Sequence, residues 1–296
     1  MSQRSLPFSM LLVLCGSLHF VSPSTAQTDS SIRWMVTVDK SLEGDQPGER
    51  VVFGPQEELL LNLGLNNAAG PAVSGPLTLS EHLRVTISRK EGSFPVRLKI
   101  SVVDPAGAIL AEHGTVHVEF STQRQDGAPF SVGTYTVETD LSSFFDTLQF
   151  LNGSRWVGRA KTSDVRTVVV KDVVSLQDQV HFYDLEGNYH LGRGHYAEAI
   201  RNLERLVALT PDSWQSHAAL GAAYIRSGRY REAAASLERA LPGWLLFPER
   251  RGDIVANDLA RAYVALGQDA DAARVLRSAG VGQADIQSRI ERMKAK

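Results

Sequence analysis

The chain has 296 residues, 43% hydrophobic and 22% charged, with a formal net charge of −2. That length allows two domains of ordinary size, and the composition is that of a globular protein able to build sizeable cores. The near-neutral balance speaks against a nucleic-acid binder, which carries a basic excess or stripe, and against an acidic solvating tail.

Residues 1–26 carry a basic residue, Arg4, then an apolar stretch from Leu6 to Val21, then the small residues Ser24, Thr25 and Ala26. This is the pattern of a secretory signal peptide cleaved after Ala26. Ser17 and His19 interrupt the stretch, which is short for a membrane span. The single cysteine, Cys15, lies inside it. Leu14 precedes Cys15 where a bacterial lipoprotein signal wants a small residue, so lipidation is not expected. The mature chain would then contain no cysteine and depend on its cores rather than on disulfides. It has no second long apolar stretch, and the expected location is periplasmic or secreted.

Residues 27–174 show the short alternating runs of strands: "IRWMVTV" (32–38), "ELLLNLGLN" (58–66), "LRVTIS" (83–88), "VRLKISVV" (96–103), "TVHVEF" (115–120), "GTYTVET" (133–139) and "RTVVV" (166–170). "DPAG" (104–107) reads as a turn and "NNAAGPAVSGP" (66–76) as a longer loop. Several short strands without helical periodicity between them indicate an antiparallel β-sandwich. The pattern "PQEELLLNLGLNN" followed by "GTYTVETDLSS" resembles immunoglobulin-like domains of bacterial envelope proteins. The Cys…Trp…Cys signature of antibody domains is absent.

From about Ser175 the period changes to 3.6, and residues 175–296 contain an internal repeat. Gly194, Gly228 and Gly267 fall at one position of three copies, and Ala199, Ala233 and Ala272 at another; the copies are offset by 34 and then 39 residues. A period of 34 with small residues at fixed points resembles the tetratricopeptide repeat. The middle copy carries that family's marks at Leu220, Gly221, Tyr224, Ala233, Leu237 and Ala240, and Pro211 closes the first. Gly221 and Ala233 are expected to let two helices approach, and Ala240 to let the next repeat pack. The first copy departs, with Glu186 where a leucine is usual and His190 where a tyrosine is usual, so its outer face is expected to abut the β domain. After three repeats, Ile286, Ile290 and Met293 share one helical face, as a solenoid's capping helix requires.

The third copy starts five residues late, and "PGWLLFPERRG" (242–252) holds the insertion. Trp244, Leu245, Leu246 and Phe247 either fold back onto the second repeat or form a docking patch flanked by Arg250 and Arg251. Pro242 and Pro248 are expected to end one helix and permit the next.

Chemistry-bearing motifs are sparse. His113 and His117 have a metal-like spacing on a helix, but on a strand they stand ~13 Å apart. His190 and His217 fall at repeat core positions. "GRGHYA" (192–197) follows a helix and reads as the turn inside a repeat, not a phosphate loop. Asn152-Gly153-Ser154 is a formal sequon that reads equally well as a hairpin turn. No nucleophile motif is present, and no cofactor, metal or catalytic activity is expected.

The remaining site is the concave groove. The resemblance implies ligand contacts from the first helix of each repeat: His181, Asp184, Asn188 and Leu191; Gln215, Ala218, Ala222, Ile225 and Arg226; Asn257, Arg261 and Val264. Trp244 and Phe247 join them if the insertion is a docking patch. Lysines that would clamp a terminal carboxylate are missing at Asp184 and Ile254, although Asn188 matches. The expectation is an interaction scaffold without chemistry, binding a protein or peptide partner in the cell envelope and no nucleic acid. The alternative is a carbohydrate-binding or adhesion module using Trp156, Phe130, Phe144 and Phe145 of the β domain.

Overall fold

The computed structural model describes residues 32–295 except 45, 48, 68–72, 75–78, 104–108, 111–113, 151, 152, 154, 157, 159 and 247–253. The leader with Cys15, the 104–107 turn, most of the 66–76 loop, His113, Asn152, Ser154, Phe247, Pro248, Arg250 and Arg251 lie outside the described residues.

The strands are β1 (Ile32–Val38), β2 (Leu42–Glu43), β3 (Glu49–Phe53), β4 (Leu59–Asn67), β5 (Val73–Ser74), β6 (Arg84–Arg89), β7 (Gly92–Phe94), β8 (Val96–Val103), β9 (Ile109–Leu110), β10 (Thr115–Arg124), β11 (Gly133–Asp140), β12 (Gln149–Phe150) and β13 (Ser163–Lys171). Short helices α1 (Leu79–His82) and α2 (Ser142–Phe145) interrupt them. One sheet has the order β1-β4-β10-β8, a second β2-β3-β13-β11-β6-β7, and a small third β12-β5-β9. Alternation decides the faces. Leu59, Leu61, Leu63 and Leu65 of β4 point inward with Ile32, Trp34, Val36 and Val38 of β1, and meet Ile87, Tyr135, Val137 and Val168 of the second sheet in one core. Each fully buried leucine contributes about 1.5–3 kcal/mol relative to exposure.

The result is the expected sandwich with several differences: β2, β5, β7, β9 and β12 were not among the runs read as strands, a small third sheet is added, and two short helices interrupt the strands. β3 was not legible as a strand, and it pairs parallel to β13, so the second sheet is mixed rather than antiparallel. The outer edge of β1 is closed by buried Asp164, which accepts from the Val36 N–H at 3.2 Å and ion-pairs with Lys161 at 2.5 Å and Arg166 at 2.9 Å. The Trp34 indole donates to the Lys161 carbonyl beside it. An open strand edge invites pairing with another chain, and this plug blocks it.

Among the described residues seven helices follow: α3 (Leu176–Gly192), α4 (Tyr196–Leu209), α5 (Trp214–Arg226), α6 (Tyr230–Leu245), α7 (Ile254–Ala265), α8 (Asp269–Ser278) and α9 (Gln283–Lys294). Ser175 opens α3 with a capping box: its Oγ accepts from the Asp178 N–H at 3.0 Å, and the Asp178 carboxylate accepts from the Ser175 N–H at 2.9 Å. Gly194, Gly228 and Gly267 each turn the chain between the helices of a pair, at φ +77°, +77° and +74°. A side chain is strained in that left-handed region, so the glycine period is the period of the turns.

The close approach inside each pair is equally periodic. A Cβ on Gly187 would sit 2.6 Å from Leu203, and one on Gly221 2.4 Å from Leu237. The third pair places Ala260 and Leu276 at the same positions, both fully buried. Ala233 and Ala240 are also fully buried, as their expected packing roles demand. Ile286 and Ile290 of α9 are buried and Met293 packs beside them, closing the end of the helical core.

The insertion corrects one expectation. Pro242 does not end α6; the helix runs through it to Leu245. Proline there gives up its bond to the Glu238 carbonyl and crowds that group, while Gly243 leaves room for the Trp214 ring, which a Cβ there would meet at 2.4 Å. Trp244 then packs edge-on against Trp214, with ring centroids 5.5 Å apart. Leu246 points away and is 78% exposed.

Candidate functional site

The first helices of the pairs, α3, α5 and α7, line a groove of about 1070 Å³. Leu191, Ile225 and Val264 hold one position in successive repeats and give it an aliphatic row. Ala218 and Ala222 keep its middle open, Trp244 forms one wall, and Met293 with Lys294 of α9 bound one end. Polar groups on the lining are Asn188, Arg226, Asp258 and Arg261.

Of the residues expected from sequence, Asn188, Leu191, Arg226, Arg261 and Trp244 meet in this groove. Four others have different neighbours. His181 stacks on Phe53 of β3, with centroids 5.9 Å apart, and so faces the β domain. Asp184 accepts from the Asn188 Nδ2 at 2.9 Å. Burial pushes its carboxyl up to about 6, against the opposing pull of that hydrogen bond. Gln215 accepts from the Ser213 hydroxyl at 3.2 Å beside the start of α5. The Asn257 Oδ1 accepts from Arg289 of α9 at 3.2 Å.

Asp258 was missed, although it stands next to Asn257 on the same helix. Burial raises its carboxyl, while Arg261, 3.6 Å away, and Arg226 draw it back down. Lys294 was missed because it arrives from α9; it pairs with Asp269 at 2.5 Å and Glu291 at 3.5 Å. Asp258 is thus the counter-ion of the two arginines on the lining, and Lys294 has its partners outside it.

The departures of the first repeat have a structural reason. In the second and third repeats a tyrosine reaches back to the repeat before: the Tyr224 hydroxyl donates to Glu204 at 2.6 Å, and Tyr263 donates to Glu238. No repeat precedes the first, and there His190 lies 3.4 Å from Glu186 instead. Glu186 itself meets Lys40 of the β domain at 2.7 Å. Arg193 reaches Glu119 at 2.8 Å and Asp39 at 3.7 Å. The outer face of the first repeat therefore abuts the β domain, as its sequence implies.

In the β domain, Phe130, Phe144, Phe145 and Trp156 are all buried, which removes them as an exposed sugar-stacking platform. His117 lies on strand β10 as read. Among the described residues, no three His, Cys, Asp or Glu side chains cluster as a metal site would need. His217 is a core histidine whose Nε2 is 2.9 Å from the Pro211 carbonyl.

These features define a β-sandwich joined to a short α-solenoid of tetratricopeptide-type helix pairs. The family model of the tetratricopeptide repeat matches residues 185–244, from within α3 to the end of α6. Such a region points to a role in protein interaction and to protein partners. Among solved structures, the ASH / PapD-like domain of human CEP192 (PapD-like domain 7) aligns at 13% identity and a TM-score of 0.24, over 54% of this chain and 97% of that one. No curated protein matches the chain. Among the described residues, no helix is long and apolar enough to cross a membrane.

Proposed function

We propose that the protein is an exported interaction scaffold of the cell envelope, without catalytic activity or cofactor, that holds a segment of a partner protein in the solenoid groove. The observation that carries this reading is the aliphatic row of Leu191, Ile225 and Val264 along a cavity large enough for several side chains. A row with one side chain per repeat suits an apolar segment that spans all three repeats. Asn188, Arg226 and Arg261 stand beside the row to hydrogen-bond the backbone and polar side chains of that segment.

The test is Ala222→Arg, which fills the middle of the groove from a half-exposed position. The variant should keep its helical spectrum and lose the partner that the wild-type mature chain retains from envelope extract. Full retention by a folded variant would move the binding surface to the β domain. Export is tested separately: mass analysis of protein recovered from the envelope should give an N-terminus at Gln27. An intact Met1 would refute the leader.

A further inference from the structure

β13 ends at Lys171 and α3 begins at Leu176, so the two domains share a single covalent connection, and its Val174 is 79% exposed. Their hydrophobic cores have no residue in common. What crosses between them is mostly polar and comes largely from one face of α3: Glu186, Tyr189, His190 and Arg193. Lys40 lies 4.9 Å from the Tyr189 ring and Arg193 4.8 Å from it, so the ring is held by a cation from each domain. Separation would leave both cores intact and uncover Phe53, which is buried in the docked state, and interdomain contacts of this polar kind permit relative motion.

We propose that this joint is an acid-opened hinge: the domains stay docked while His181 and His190 are neutral, and part when both are protonated. The docked and separated states differ in the neighbours each histidine keeps. His190 has Glu186 3.4 Å from its Nε2 and His195 3.4 Å from its Nδ1, with Glu198 farther off. All three belong to the solenoid and remain. Lys40, which repels an imidazolium, comes from the β domain, as does part of the burial. Burial is the chief cause holding His190 below the usual histidine value, and Lys40 adds to it against the pull of Glu186. His181 follows the same logic. Its ring lies on Phe53 of the β domain, and burial lowers it, while Asp178, which favours the charged form, sits one turn away on its own helix. Undocking thus removes Lys40 and part of the burial, which oppose protonation, and keeps Glu186, Glu198 and Asp178, which favour it; His195, which opposes it more weakly than the burial and Lys40 do, is unchanged.

The sign follows by linkage. Each histidine binds its proton more weakly docked than free, so the neutral forms support docking. That support is complete above the ordinary histidine range, about 6.5, and is lost as pH falls through and below it. The pairing of Lys40 with Glu186 and of Arg193 with Glu119 is what protonation must overcome. Asp39 is raised by burial chiefly, against the pull of Arg193, so its pairing weakens earlier on acidification than an ordinary aspartate's would. This response of the joint to pH is independent of what the groove binds.

The test uses the full mature chain, which has no cysteine, with spin labels on Lys90→Cys in the β6–β7 turn and Ala270→Cys on α8. At about pH 7.5 the interdomain distance should be a single narrow distribution, and at about pH 5.5 a longer, broader population should dominate. A His181→Phe, His190→Gln background keeps a ring on Phe53 and a neutral partner for Glu186; it should stay narrow at both pH values. His190→Gln alone should open less than wild type. Lys40→Glu should open at both, which establishes that the labels report docking. An unchanged wild-type distribution at the lower pH overturns the proposal, as does opening of the histidine-free variant to the wild-type extent. Failure of Lys40→Glu to open would overturn the electrostatic basis of the joint itself.

Discussion

Gly221 illustrates how one missing carbon sets the geometry of a repeat. Its α5 backbone lies so close to Leu237 that any Cβ must displace a buried side chain. Overpacking of this kind costs about 1–3 kcal/mol. Gly221→Ala regains about 1 kcal/mol of helix propensity, so its net loss should be small, and the third repeat already places Ala260 there. Gly221→Leu has no such relief and should cost the full overpacking penalty, read as an earlier loss of helical signal on heating. The tryptophan of the insertion calls for an intermediate value. A fully buried tryptophan loses about 3–5 kcal/mol on truncation, but Trp244 is half-buried and rests on Trp214 by its edge. Trp244→Ala should therefore cost about 2 kcal/mol in urea unfolding, whereas exposed Leu246→Ser should change stability by less than about 0.5 kcal/mol. Equal effects of the two changes would mean that the run packs as one unit.

At the scale of helices, each repeat is fastened to the one before it by a tyrosine–glutamate bond. Tyr224 and Tyr263 are pushed up to about 12, first by burial and then by Glu204 and Glu238. A tyrosine raised above its unfolded value of about 10 stabilises the fold below that pH and loses the contribution as pH rises through the folded value. The solenoid should therefore lose stability between about pH 10 and 12, more steeply than a variant carrying Tyr224→Phe and Tyr263→Phe. At neutral pH Tyr224→Phe should cost about 1–2 kcal/mol, the lower part of the range for a bond to a charged group, because Glu204 is solvent-exposed. Helical ellipticity in urea, followed at stepped pH, measures both effects. An identical alkaline slope in the two proteins would remove the tyrosines as its source.

The same helices explain what could be read in advance. Glycine turns, alanine contacts and the cap on Ile286 and Ile290 obey a local period, so the solenoid was legible almost to its helix ends. Glu186 and His190 were legible as breaks in that period. β3 was not, because its five residues carry no alternation and its partner β13 lies more than a hundred residues away. The continuation of α6 through Pro242 depends on the Trp214 ring over Gly243, a contact between repeats that no local pattern encodes. Half of the groove was legible for the reverse reason. Positions repeated in α3, α5 and α7 point where the period says, whereas His181 is drawn to Phe53, Asn257 to Arg289, and Lys294 enters from outside the repeat.

At the scale of the whole molecule, the described residues form two hydrophobic cores and a joint between them that is mostly ionic. The β core holds Trp34 and Trp156; the solenoid holds Trp214 and Trp244. Cooperative unfolding of the full chain would require the joint to be worth as much as the stability difference between the two cores. Its ion pairs, Lys40–Glu186 and Arg193–Glu119, are mostly buried, where the cost of desolvation offsets much of the Coulombic gain and leaves a small net contribution. The domains should therefore unfold in separate steps. A variant with phenylalanine at Trp214 and Trp244 reports the β core alone by fluorescence, and one with phenylalanine at Trp34 and Trp156 reports the solenoid. Their guanidinium midpoints should differ, and each should move only slightly when Lys40→Glu is added. Coincident midpoints that part on adding Lys40→Glu would show instead that the joint couples the two domains into one cooperative unit.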